Sequence, residues 1–275
     1  MEDTDSTCLG LIVMYLAGWV HRDISGGNIL WYDDKTGNSR GILSDLEYAK
    51  KDTSDGGCSD PKTVILFSLP VDELAYLTHK QQGTAFYMAH EITKGVTLAE
   101  PPRDEGHWQE TMPLRHNFLH DVESVWWLHL WTMLDRVPHE PSQKLARHIF
   151  VNGPPTLTRE AVFITPGKLF EVLRTLHPTL STMATASDAT RRTLHYSYRD
   201  FKNPVDPECY GKAYDAILCL LQAGIDLEHD VVDLILYPRP VEVTTASRKR
   251  TAFAEPGASH VDNINPRKKA RARKN

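Results

Sequence analysis

Asp23, Asn28 and Asp45 are the residues of this 275-residue sequence whose types and spacing could do chemistry. Asp23 and Asn28 stand five apart in V-H-R-D-I-S-G-G-N-I-L, and Asp45 follows the next apolar stretch, G-I-L-S-D. A carboxylate such as Asp23 can orient an attacking hydroxyl and accept its proton. The amide carbonyl of Asn28 and the second carboxylate, Asp45, can hold Mg2+ on the phosphates of a nucleotide. Hard cations take such an all-oxygen set, and the sequence offers no His/Cys cluster at zinc spacing. The chemistry within reach is phosphoryl transfer from ATP with Mg2+.

These residues need elements to position them. The run C-L-G-L-I-V-M-Y-L-A-G-W-V predicts a buried helix over 8–20 that ends near Gly18, and Gly26 and Gly27 force a loop after it. N-I-L-W-Y-D-D, a K-T-G-N turn and G-I-L-S-D-L-E-Y-A predict two short strands joined as a hairpin. From about 50 to 70, Asp, Ser, Gly, Lys and Pro predict a mobile loop. The segment N-F-L-H-D-V-E-S-V-W-W-L-H-L-W-T-M-L-D is apolar on nearly every face and belongs at the centre of a domain, with Trp126, Trp127 and Trp131 in the core. Further helices are expected near 142–150, 167–177, 183–201, 208–223 and 228–236, with Pro238 and Pro240 ending the fold. The expected fold class is α+β, mostly helical with a short hairpin beside the loop.

Charge divides the chain. The net charge is −5, and residues 246–275 hold nine Lys/Arg against two Asp/Glu, so the tail carries +7 and the body −5 − 7 = −12. An acidic body does not favour nonspecific nucleic-acid binding. The expected organisation is one domain over 1–240 and a disordered basic tail over 241–275. Two basic clusters, 248–250 and 267–274, stand about fifteen residues apart, the spacing of a bipartite nuclear-import signal. They nominate an import receptor as partner and a nuclear or cytoplasmic location, and no aromatic platform accompanies them for RNA. The 13-residue apolar run is too short to span a bilayer and follows an acidic start, so neither a membrane nor a secretory leader is expected. Four scattered cysteines, Cys8, Cys58, Cys209 and Cys219, read as reduced thiols.

H-R-D-I-S-G-G-N resembles the catalytic loop of eukaryotic protein kinases, H-R-D-x-x-x-x-N. Other motifs follow in kinase order. S-D-L-E-Y-A-K sits where the metal-binding D-F-G belongs. G-T-A-F-Y-M-A-H-E-I resembles the end of an activation segment, with Ala89-His90-Glu91 in place of A-P-E. H-D-V-E-S-V-W-W resembles the start of the central helix of the kinase C-terminal lobe. The wording is most similar to the fungal-type protein kinases, over about residues 8–150. The resemblance implies a protein Ser/Thr kinase that uses ATP and Mg2+ on a protein substrate. It makes Asp23 the base and Asn28 and Asp45 the nucleotide-side metal ligands. Arg22 would receive a phosphorylated or acidic group of the activation segment, where Thr53, Ser54, Ser59, Thr63 and Thr84 are the candidate sites. His21 would pack the loop, Asp121 would support its backbone, and Glu91 would pair with an arginine of the same lobe.

Three departures qualify that resemblance. Ser25 stands where most Ser/Thr kinases place a phosphate-touching lysine, and Leu46-Glu47 replaces Phe-Gly. No G-x-G-x-x-G, no V-A-I-K-type lysine and no partner glutamate helix is found. The expectation is therefore a kinase-like C-terminal lobe with the N-terminal lobe absent, truncated at its N-terminus, catalytic in its full-length form and with its activity left open as this chain. Two alternatives stand beside an active kinase. One is a noncatalytic kinase-like binding module. The other is a small-molecule phosphotransferase, which shares the Asp-to-Asn spacing but lacks G-T-A-F-Y-M-A-H-E.

Overall fold

Helix α1, Asp3–Leu16, ends where glycine permits it. Gly18 takes φ 72°, a left-handed conformation that side chains disfavour, and its N–H donates to the Tyr15 carbonyl at 2.8 Å. That turn sends the chain into β1, Trp19–Val20. Residues 19 and 20, which their apolar character assigned to the helix, are therefore strand. The structure is a computed structural model that describes residues 3–33, 39–51, 86–98, 114–151, 156–199 and 207–230.

Strands β2, Ile29–Asp33, and β3, Ser39–Leu43, form the expected antiparallel hairpin, with Ile29 opposite Leu43 and Leu30 opposite Ile42. Its outer face leaves Leu30, Tyr32 and Ile42 exposed, while α1 packs against β3. The sequence pattern carried β3 on through Leu-Glu-Tyr. Instead Asp45 takes φ 63°, which breaks the pleat, and Leu46–Tyr48 form one 3-10 turn. β4, Lys50–Lys51, then returns antiparallel to β1. The mobile-loop expectation for 50–70 falls, beyond Lys51, outside the described residues, as do Thr53, Ser54, Ser59, Thr63 and Thr84.

The remaining described elements are helical: α2 (His90–Lys94), α3 (Phe118–Trp131), α4 (Glu140–Ile149), α5 (Leu157–Ile164), α6 (Lys168–Leu173), α7 (Ser181–Arg199) and α8 (Pro207–Asp230). Helix α3 is the centre, as its all-round apolar pattern requires. Leu119, Trp126, Trp127 and Leu130 are each 0% exposed. Burying one tryptophan contributes roughly 4–6 kcal/mol on an area basis, as an upper bound. Trp126 also donates Nε1–H to the carbonyl and hydroxyl of Ser187, which ties α3 to α7. Trp131 departs from expectation: it is only partly buried, with Tyr87 at its edge and Arg136 over its face.

Two helix boundaries differ from the sequence reading. The helices expected at 208–223 and 228–236 are one continuous helix through Asp230. Gly224 lies inside it, where a Cβ would meet the Met183 methyl of α7 at 3.4 Å. That is an ordinary van der Waals distance, so the helix carries the glycine at a cost of about 1 kcal/mol. Helix α5 was not anticipated. Thr156 caps it by accepting the Arg159 N–H at 3.1 Å, a signal present in the sequence as T-L-T-R.

The mostly helical α+β expectation holds for the described residues. The chain divides into units Met1–Arg239 and Pro240–Asn275, and the second, with the basic tail, lies outside the described residues. Among the described residues no helix is long and apolar enough to cross a membrane.

Candidate active site

The loop that carries Asp23 is held from beneath by a single carboxylate. Asp121 lies in the first turn of α3, where the helix N-terminus favours negative charge. Its two oxygens accept the backbone N–H groups of His21 at 2.7 Å and Arg22 at 2.9 Å. The start of α3 is itself fixed by a reciprocal cap. The Asn117 side chain accepts the Leu119 N–H, while His120 Nδ1 accepts the Asn117 N–H, each at 2.9 Å. Burial pushes the Asp121 carboxyl upward, against the two amide donors that favour its ionised form.

His21, 0% exposed, links this loop to the strand that leads to Asp45. Its Nδ1 accepts the Asp23 N–H at 3.3 Å and its Nε2 lies 3.0 Å from the Ser44 carbonyl. A carbonyl only accepts, so the ring proton sits on Nε2. Arg22, between them, takes φ 74°, a conformation that costs a non-glycine residue about 1–3 kcal/mol and persists only where neighbours enforce it. The Asp121 fork is that enforcement.

Asn28 closes the loop onto its own carboxylate. Its Nδ2 donates to the Asp23 carbonyl at 2.8 Å and to Asp23 Oδ2 at 3.0 Å. Both bonds use the amide nitrogen, which leaves Oδ1 as the atom offered to a cation. The Asn28 carbonyl accepts the Ser44 N–H at 2.8 Å and the Ser44 hydroxyl at 3.0 Å, so Asp45 follows directly from a residue bonded to Asn28. Burial raises the Asp23 carboxyl above its ordinary range, and the Asn28 bond and His21 oppose it. A carboxylate placed there is a better proton acceptor than one in water.

Asp45 and Glu47 are exposed and face the same region. The Tyr48 phenol is pushed up to about 12, first by loss of solvent and then by Glu47, Asp45 and Asp23. The chemistry of this donor set, three carboxylates and an amide oxygen, suits a hard cation and not zinc. Among the described residues no three His, Cys, Asp or Glu side chains come close enough to hold a metal by themselves. Asn28 and Asp45 would thus share a cation with oxygens from its ligand, as Mg2+ on a nucleotide prefers. Ser25 is turned inward: it is buried, and its hydroxyl accepts the Gly27 N–H at 3.3 Å.

Glu91 lies apart from that cluster, on α2, and its partner is a histidine. His120 Nε2 meets Glu91 Oε2 at 2.9 Å, while Thr97 and the Leu98 N–H donate to Oε1. The arginine pairing expected for Glu91 is therefore replaced by a His120 contact. Burial would raise the Glu91 carboxyl, but these donors prevail and hold it below its ordinary value.

Sequence reasoning missed the buried set next to it. Glu123, 0% exposed, accepts the His90 N–H, the Trp127 indole N–H and the Tyr198 hydroxyl, each at 2.7 Å. Three donors satisfy it, although burial still pushes its carboxyl up. Arg159 of α5 lies with its guanidinium carbon 4.1 Å from the Trp127 ring centre, a contact worth about 2 kcal/mol when desolvated. The visible signal was Glu123 itself, an acid directly before V-W-W in a helix apolar on nearly every face, which needs buried partners.

A family model described as fungal protein kinase matches residues 10–133. No curated protein and no solved structure matches the chain.

Proposed function

We propose, from the match of residues 10–133 to the fungal protein kinase family model, that the site transfers the γ-phosphoryl group of ATP to a serine or threonine hydroxyl of a protein. The observation that supports this best is the Asp23–Asn28 pairing, which orients the carboxylate and leaves the Asn28 carbonyl oxygen for a cation. Bound Mg·ATP supplies the phosphoryl group and neutralises its charge. Asp23 orients the acceptor hydroxyl and takes its proton. Asn28 and Asp45 hold the metal side of the nucleotide, while His21 and Asp121 keep the two strands of the site in register.

A noncatalytic binding module remains the second reading, and Ser25 is the observation that favours it. Its inward hydroxyl puts no cation where charge on the transferred phosphoryl would need one. One experiment separates the two: Mg·ATP binding by calorimetry and autophosphorylation with labelled ATP, with Asp23→Asn as control. The kinase reading expects binding in both proteins and label in the parent alone. No binding, or equal labelling of the variant, would sink it. Nuclear import through 248–250 and 267–274 is a separate proposal that stands on the sequence.

A further inference from the structure

Asp23, Asp45 and Glu47 lie within charge range of one another, and the second and third both push the Asp23 carboxyl upward. Among the described residues no lysine or arginine pairs with any of the three. Ser25 is buried with its hydroxyl turned to the Gly27 N–H, so the loop itself offers the transferred phosphoryl no cation. Lys50 and Lys51 lie exposed on β4, and neither ranks among the charges that bear most on Asp23. Charge on a phosphoryl group in transfer needs a positive partner, and that partner can be supplied in trans, as an arginine finger is. Asp23 takes the proton and Asp45 faces the metal, which leaves exposed Glu47 as the unassigned carboxylate of the three. It can hold a guanidinium or ammonium that the substrate brings in.

We propose that the protein acceptor is basic: a serine or threonine with arginine or lysine directly beside it, whose cation sits between Glu47 and the phosphoryl group. This rests on the kinase reading above and names its substrate class. The acceptor oxygen forms its bond to the γ-phosphorus as the bond to the β–γ bridging oxygen breaks. Its proton passes to Asp23, and ADP leaves with the electron pair. The acidic body of the chain favours the same partner, since it attracts basic segments and repels acidic ones. The sequence contains a segment of this chemistry, S-R-K-R-T at 247–251.

The test uses the full chain, Mg·ATP and two peptides, with casein as an acidic acceptor. One peptide is A-S-R-K-R-T-A-F, residues 246–253; the other carries Arg248→Gln, Lys249→Gln and Arg250→Gln. The basic peptide should be phosphorylated with kcat/KM at least about tenfold above the neutral one, through a higher kcat as well as a lower KM. Glu47→Gln should cut that ratio by about fivefold. Equal kcat/KM for the two peptides would overturn the proposal and leave the kinase reading standing. A difference confined to KM would overturn the cation's place at the phosphoryl group, and an unchanged ratio in Glu47→Gln would overturn Glu47 as its holder. No label on either peptide or on casein would remove the kinase reading, and the substrate class with it.

Discussion

Replacing Asp121 with asparagine tests the support of the catalytic loop with almost no change of shape. In the parent, one carboxylate oxygen serves each of two adjacent amides, at 2.7 and 2.9 Å. The variant keeps one acceptor and turns the other into an NH2 group that faces an N–H. One of the two amides then loses its partner. If it is His21, which is 0% exposed, water cannot replace the bond. An unsatisfied buried amide costs about 1–3 kcal/mol, and loss of charge assistance on the surviving bond costs about 1 kcal/mol more. Removing a charge that burial disfavours returns part of that sum, so the net loss expected is about 2–3 kcal/mol. Asp121→Ala removes both acceptors and should cost about 3–5 kcal/mol. The strained Arg22 backbone should relax with it. Urea unfolding at pH 7, followed through the buried tryptophans, measures the loss, and hydrogen exchange at His21–Asp23 locates it. Both variants within about 0.5 kcal/mol of the parent, with exchange at 21–23 unchanged, would refute the reasoning.

Three further outcomes follow from the same structure. Burial holds the His90 ring down to about 4 from an ordinary 6.5, so the unfolded chain takes up a proton between those values and the folded chain does not. The share of stability that His90 contributes should be full above about pH 6.5 and fall as pH drops to 4, by at most about 3.5 kcal/mol from a gap of about 2.5 pH units at about 1.4 kcal/mol each. His90→Phe, which keeps the stack on Phe163, should make that part of the urea-midpoint profile shallower, with buried His116 and His129 supplying the remaining slope; an identical profile would dismiss His90 as a cause. Asp45→Asn retains a residue that tolerates φ 63°, so unfolding should shift by less than about 0.5 kcal/mol while Mg2+-dependent nucleotide binding weakens at least about tenfold. Undiminished binding would remove Asp45 from the metal site. A fluorescent reporter fused to residues 246–275 should concentrate in nuclei, and an even distribution would end the import proposal.

What the sequence determined by itself was whatever rests on local spacing. Asp23 and Asn28 five apart around a glycine pair had to form one loop, and their bond is local. Short apolar runs on either side of K-T-G-N made the hairpin, and a 14-residue helix apolar on nearly every face had to be central. Tertiary structure decided the matters in which a residue's partner is remote. Asp121 meets His21 across 100 positions and Arg159 meets Met88 across 71. Neither pairing leaves a periodicity to read. The same holds for Glu91, whose partner was expected to be an arginine and is His120. Buried polar groups take whichever partner the packing brings within reach. Local pattern specifies which elements form, while the cost of leaving a buried donor or charge unpaired specifies how they meet.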